Sequence, residues 1–152
     1  MRILGVRAAP KVASFVVYCT EDKELKCVDV IKIPQTLSTP EQLKYIRNNI
    51  LDILREFDVS LAAIRVCEAN AQKPSIDRLY LEGVIQEAFS SSNVRNYYIL
   101  RKQGIYSRLG INSKEYDSAI QGEKKVMDVD TSSYDSNTNE AILSALAAGV
   151  QK

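Results

Sequence analysis

The sequence predicts an α/β domain, and three observations predict it. The chain has 152 residues, the length of one domain. It opens with three β-type runs separated by short polar turns. Helical and strand-like segments then alternate to the end. Composition supports an ordinary core: 45% of residues are hydrophobic and 26% charged, which excludes wholesale disorder.

Residues 2–7, RILGVR, form a short strand, and Gly5 inside it marks a place where something approaches the backbone closely. After a turn at 8–10, residues 11–20 are β-branched and aromatic and read as a second strand. Residues 24–33 alternate apolar and charged positions through Leu25, Cys27, Val28 and Val30. The short turn before them makes this third strand antiparallel to the second. Thr39 is a natural N-cap, Pro40 fits the first helical position and Glu41 suits the positive helix end. Leu43, Ile46, Ile50, Ile53, Leu54 and Phe57 then make one apolar stripe at helical spacing. Residues 59–66, VSLAAIRV, are almost continuously apolar, which indicates a buried strand in parallel pairing. A helix over 76–90 follows Ser75, with Ile76, Leu79, Tyr80, Gly83, Val84 and Ala88 expected on its buried side. A fifth strand covers 94–100, and 101–128 holds one or two short helices. Residues 130–139 are a polar low-complexity loop, expected to be mobile. A last helix spans 139–150, with cap candidates at 137–139. No internal repeat or domain boundary is visible, so one domain is expected over 1–152.

Charge and composition remove several chemistries. Lys and Arg total 20 against 19 Asp and Glu, so a strongly basic nucleic-acid clamp is excluded, though a local patch is not. The chain has no histidine, which removes Ser-His-Asp triads, Cys-His dyads and histidine metal sites. Carboxylate chemistry, or none, remains. Cys19, Cys27 and Cys67 are odd in number and widely spaced, the pattern of reduced cytosolic thiols. No apolar run is long enough to span a bilayer. The opening segment imitates a signal peptide until Arg7, Pro10 and Lys11 interrupt it. The expectation is a cytoplasmic protein without membrane contact. No phosphate-binding glycine loop, dinucleotide fingerprint or zinc-protease motif occurs.

The order of elements resembles the ribonuclease H-like superfamily, and within it the RuvC branch of Holliday-junction resolvases. RILGV with its small-residue turn resembles the branch's opening strand. VSLAAIRV resembles its fourth strand. LYLEGVIQEA resembles the following helix, with Gly83 at a small packing position. ILRKQGIYSRLGI resembles the segment after the fifth strand, and NEAILSALAAG the last helix. The resemblance covers nearly the whole chain. It implies a mixed five-stranded sheet, three antiparallel strands and then parallel ones, with helices on both faces.

It also implies where chemistry would sit. The family gathers carboxylates at the ends of the first strand, the fourth strand and the last helix, where they hold two Mg²⁺ ions. Carried over, the first-strand acid falls on Arg7 and the fourth-strand acid on Arg65, with Glu68 three residues later. The last-helix acids fall on Asn139 and Glu140, with Asp135 just upstream. Two ligand positions are thus charge-inverted. The leading expectation is a catalytically degenerate module, without a cofactor, that binds DNA, RNA or a protein partner without cleaving it. Arg7 and Arg65 are expected either to pair with Glu68, Glu82 or Glu140, or to hold an anion. The alternative is a Mg²⁺- or Mn²⁺-dependent nuclease with a relocated acid set: Glu68, Glu140, Asp135 and Glu82, of which Glu68 and Glu140 would be metal ligands. A third reading is a structural or oligomerising protein with no ligand, whose partner would be another protein or a second copy in a homodimer.

Arg95, Arg101, Lys102 and Arg108 surround Tyr97, Tyr98 and Tyr106, and basic residues interleaved with aromatics can hold a nucleic-acid backbone and stack bases. Arg78 and Glu82 are expected to form a surface pair one helical turn apart.

Overall fold

The structure, a computed structural model, describes residues 1–150. It contains β1 (Arg2–Ala9), β2 (Val12–Cys19), β3 (Glu24–Lys32), α1 (Thr39–Glu56), β4 (Leu61–Arg65), α2 (Ile76–Ser91), β5 (Asn96–Leu100), α3 (Lys102–Leu109), α4 (Ser113–Ile120) and α5 (Ser136–Gly149). The five strands form one sheet in the order β3-β2-β1-β4-β5. β1 pairs antiparallel with β2 and parallel with β4. β2–β3 is antiparallel and β4–β5 parallel. This is the mixed sheet expected.

Alternation along the central strand builds two cores. Leu4, Val6 and Ala8 point to the side covered by α1 and α2, where Ile46, Ile50, Leu81, Ile85 and Phe89 are buried. Ile3, Gly5 and Arg7 point to the opposite face. There α5 is packed, with Ala141 to Ala148 all buried except for their ends' approach to solvent at Gly149. A helix apolar on every side belongs inside, and α5 lies between the sheet and the short α3 and α4. Its crossing of β1 is so close that a Cβ on Gly5 would stand 2.1 Å from the Ala141 carbonyl oxygen. The close approach expected at Gly5 is therefore the α5 backbone.

Several local expectations are corrected. Ser38 rather than Thr39 caps α1. The Glu41 carboxylate accepts from the Ser38 N–H at 3.1 Å and its hydroxyl at 2.6 Å, and Pro40 stands in the first turn. The alternation of β3 slips at Lys26, where a bulge lies opposite Val17 and Tyr18, so Leu25 and Cys27 face different cores. Of the side of α2 expected to be buried, Ala88 is buried and Val84 half-buried against the core. Ile76, Leu79, Tyr80 and Gly83 are exposed, and the packed side is Leu81, Glu82, Ile85, Ala88 and Phe89. Gly83 has nothing within 4 Å of a would-be Cβ, so it is no packing glycine. The segment 101–128 holds two helices. The polar stretch 130–139 is loop only in its first half: α5 starts at Ser136, capped by Asp135 rather than by a residue at 137–139. Thr131 is buried and its hydroxyl donates to the Ala119 carbonyl at 2.9 Å.

Candidate functional site

Arg7 and Arg65 are register partners on adjacent parallel strands, so their side chains leave the sheet on the same face. They stand at the carboxyl ends of β1 and β4, under the first turns of α5. That helix brings Glu140 down between them. Glu140 Oε2 is 3.0 Å from Arg65 Nε and 3.3 Å from Arg7 Nε. The three side chains are 7%, 9% and 14% exposed, so this is a buried cluster in which one carboxylate serves two guanidiniums.

Further contacts surround it. Arg7 Nη1 donates to the Arg65 carbonyl at 2.9 Å. Arg65 Nη1 donates to Glu68 Oε2 at 2.9 Å and to the Val66 carbonyl. Glu68 Oε2 also accepts the Lys102 N–H at 3.2 Å. Tyr116, from α4, closes the cluster: its hydroxyl accepts from Arg65 Nε at 3.3 Å and donates to Glu140 Oε2 at 3.4 Å. Of the expected partners, Glu140 and Glu68 pair with the arginines. Glu82 does not. It is buried, accepts the Cys67 N–H at 2.9 Å and faces Arg78 Nε at 3.3 Å. The expectation of a surface Arg78–Glu82 pair is therefore corrected. The carboxylate lies on the packed stripe of α2 and fixes the chain as it leaves β4.

The electrostatics of the two arginines differ. Burial lowers the Arg7 pKa, the Arg65 and Arg78 charges add to this, and Glu140 opposes it. Burial also pulls Arg65 down, but the Tyr116 hydroxyl, Glu140 and Glu68 more than offset it, so the net direction is up. Burial and the Glu140 charge push the Tyr116 phenol up to about 12, against the pull of Arg65 and Arg7. Arg65 is thus the better compensated of the pair. Tyr116 carried no signal in the sequence, since its role depends on where α4 packs.

The donor set does not fit a divalent metal centre. Mg²⁺ takes about six oxygen ligands in near-octahedral array. Here Glu140 is the one acid that contacts both arginines. Asp135 is occupied as the α5 cap, its Oδ1 accepting the Thr138 N–H at 2.8 Å. Asn139 is fully buried and donates to the Ile120 and Tyr134 carbonyls, tying α4 to α5. Among the described residues no three His, Cys, Asp or Glu side chains form a group able to hold a metal ion. Of the relocated set, Glu68 and Glu140 meet on the Arg65 guanidinium, whereas Asp135 caps α5 and Glu82 holds the Cys67 N–H.

The basic and aromatic segment is also divided. Arg95 stands before β5 and Arg101 after it, at opposite ends of the strand. Arg108 lies 4.7 Å over the Tyr98 ring and donates to the Ala147 and Val150 carbonyls at 2.9 and 3.1 Å. With Arg95 it borders a cavity of about 480 Å³ at the amino ends of the parallel strands, away from Arg7 and Arg65. Arg101 Nε donates to the Cys67 carbonyl at 3.1 Å, and Lys102 pairs with Asp117 at 2.8 Å, so these two belong to the Arg7–Arg65 end. Tyr106 packs edge-on against Tyr116, and Tyr97 is 42% exposed.

No protein-family model matches the sequence, and no curated protein matches it. Solved structures do match. Thermus thermophilus RuvC aligns with a TM-score of 0.74 at 16% identity, over 97% of this chain and 92% of that one. T. thermophilus RuvC in complex with Holliday junction substrate gives 0.73 at 16% identity, with the same coverage. The yeast mitochondrial Holliday junction resolvase gives 0.57 at 14% identity, over 96% of this chain and 76% of that one. Identities this low speak for architecture alone. The chain has the ribonuclease H-like fold in its RuvC-like form.

Proposed function

We propose that this chain is a RuvC-like module that binds nucleic acid without cleaving phosphodiesters. The observation that carries the reading is the pair of buried guanidiniums, Arg7 and Arg65, held on Glu140 at the strand ends. A divalent cation placed about 4 Å from a guanidinium meets a repulsion on the order of 8 kcal/mol at an effective dielectric of 20. Two such arginines, already engaging Glu140 and Glu68, oppose metal-assisted hydrolysis. They favour an anionic ligand instead, because guanidinium groups suit the planar oxygens of phosphate. The likeness to a RuvC structure that holds a Holliday junction supports nucleic acid as the ligand. Three free thiols agree with a cytoplasmic setting.

The test has two arms. Fluorescence anisotropy with a labelled four-way junction and a matched duplex, in EDTA over graded salt, should give affinity that falls steeply as salt rises. Incubation of the same junction with Mg²⁺ or Mn²⁺ should give no product. Metal-dependent cleavage that is lost in Glu140→Ala would restore the nuclease reading. Absence of junction and duplex binding, with the protein eluting as an oligomer, would favour a protein partner or a homodimer.

A further inference from the structure

The chain leaving β4 is wrapped by arginines. Arg7 donates to the carbonyl of Arg65, Arg101 donates to the carbonyl of Cys67, and Arg78 is held by Glu82, which itself accepts the Cys67 N–H. Arg65 is the fourth. Their carboxylate partners are Glu140, Glu68 and Glu82. Four guanidiniums meet three carboxylates, so the cluster carries one uncompensated positive charge. Lys102 does not change this, because it is matched by Asp117.

Two of these guanidiniums are also short of acceptors. Arg7 Nε and Arg78 Nε are both buried and make no hydrogen bond among the described residues. Each has a carboxylate oxygen at 3.3 Å, near enough for charge attraction but off the hydrogen-bond line. A buried charged donor without an acceptor is costly and calls for a missing water or ion. Arg7 reaches the Arg65 carbonyl and Arg78 the carboxylate that holds the Cys67 N–H, so both guanidiniums flank residues 65–67. The Arg78 side chain is about three-quarters buried, with its Nε enclosed, so only the rest of its guanidinium meets solvent.

We propose an oxyanion site at the exit of β4, formed by Arg7, Arg78 and Arg101, that takes one phosphate group without a metal ion. The single excess charge matches the single charge of a phosphodiester, and two orphaned N–H donors match its non-bridging oxygens. The site deepens the nucleic-acid reading above and names residues for it, Arg78 in place of the more distant Arg95 and Arg108. The phosphate could come from a nucleic-acid backbone or from a free anion, and the experiment separates the two.

Wild type, Arg78→Met, Arg101→Met and Arg55→Met would be titrated calorimetrically with inorganic phosphate in EDTA. Arg55, an exposed partner of Asp52, controls for the change in net charge. Arg101 is exposed, whereas Arg78→Met leaves buried Glu82 without its cation, so thermal unfolding checks that each variant folds and Arg101→Met tests the site independently. The expected result is phosphate binding to wild type and Arg55→Met, weakened about ten-fold or more in the other two, the loss of one charged hydrogen-bond partner. In a parallel arm, junction binding should lose about one unit of salt slope in Arg78→Met. If wild type binds no phosphate, or if Arg78→Met matches it, the site is overturned. If DNA binds and Arg78→Met leaves both affinity and salt slope unchanged, the site is overturned while the nucleic-acid function stands. If phosphate binds through Arg78 and DNA does not bind, the site stands with a free anion as its ligand, and the nucleic-acid function falls.

Discussion

Substituting Glu140 by Ala leaves Arg7 and Arg65 side by side on adjacent strands with no shared counter-ion. Strands lie about 4.8 Å apart, so two guanidiniums at roughly that spacing repel by on the order of 3 kcal/mol at an effective dielectric of 20. Arg65 keeps Glu68 and Tyr116 as partners, but Arg7 keeps only the Arg65 carbonyl. Removing one member of a buried pair typically costs about 3 to 5 kcal/mol, and the cost here should fall mainly on Arg7. That is a large part of the roughly 5 to 15 kcal/mol that holds a domain folded. Urea unfolding followed by circular dichroism should therefore show a much lower midpoint with an unchanged slope. Glu140→Gln, which keeps the shape and loses the charge, should recover little of it. Arg7→Met combined with Glu140→Met should recover most of it, because apolar replacement of a whole buried pair is often neutral. A loss below about 1 kcal/mol in Glu140→Ala would refute the reasoning, since exposed pairs are worth no more than that.

Three further outcomes are expected. Gly5→Ala would force a methyl group to within 2.1 Å of the Ala141 carbonyl and should cost about 3 kcal/mol or more, whereas Gly83→Ala, on the open side of α2, should stabilise by about 0.5 to 1 kcal/mol; thermal unfolding compares them. Asp135→Ala should lose about 0.5 to 2 kcal/mol by removing the α5 cap, with calorimetric Mn²⁺ titration identical to wild type. Tyr116 keeps its proton to about pH 12 when folded, while the unfolded phenol loses it near 10. The folded state thus holds more protons between these values, and stability should fall as pH rises from 10 to 12, by roughly 2 to 3 kcal/mol. Tyr116→Phe should remove that fall and the corresponding late phenolate absorbance.

The elements were legible because their signals are local. Alternation in the first three strands, the apolar run before Arg65 and the stripe of α1 each follow from residues a few positions apart. The placing of Arg7 and Arg65 at strand ends was legible too, from the order of elements. What was hidden depended on packing. On α2 the apolar residues Ile76, Leu79 and Tyr80 suggested one buried side, yet the helix buries the side that carries Glu82. That side wins because it also presents Leu81, Ile85, Ala88 and Phe89, and because Glu82 finds the Cys67 N–H. The basic segment failed for a related reason. Arg95 and Arg101 are six residues apart, but an extended strand places them at opposite ends of the sheet. Asp135 and Asn139, read as acid-site positions, are instead used to start α5 and to fasten α4 to it.

The arrangement at the strand ends has a consequence for what controls this protein. A carboxylate site completed by metal ions changes charge whenever the ions leave. In this chain the positive charges are guanidiniums, which stay protonated across the working pH range and cannot be chelated away. Glu140 is already matched by Arg7 and Arg65, so neither the cluster nor the crossing of α5 at Gly5 calls for a divalent ion. If such a sheet end binds phosphate, its affinity should follow ionic strength and ignore divalent ions, apart from their screening. Apolar residues would serve the fold as well at these two positions, by the energetics of buried pairs. Stability alone therefore does not account for two arginines beneath α5. A ligand that needs fixed positive charge there would account for both, and for the extra arginines that crowd the exit of β4.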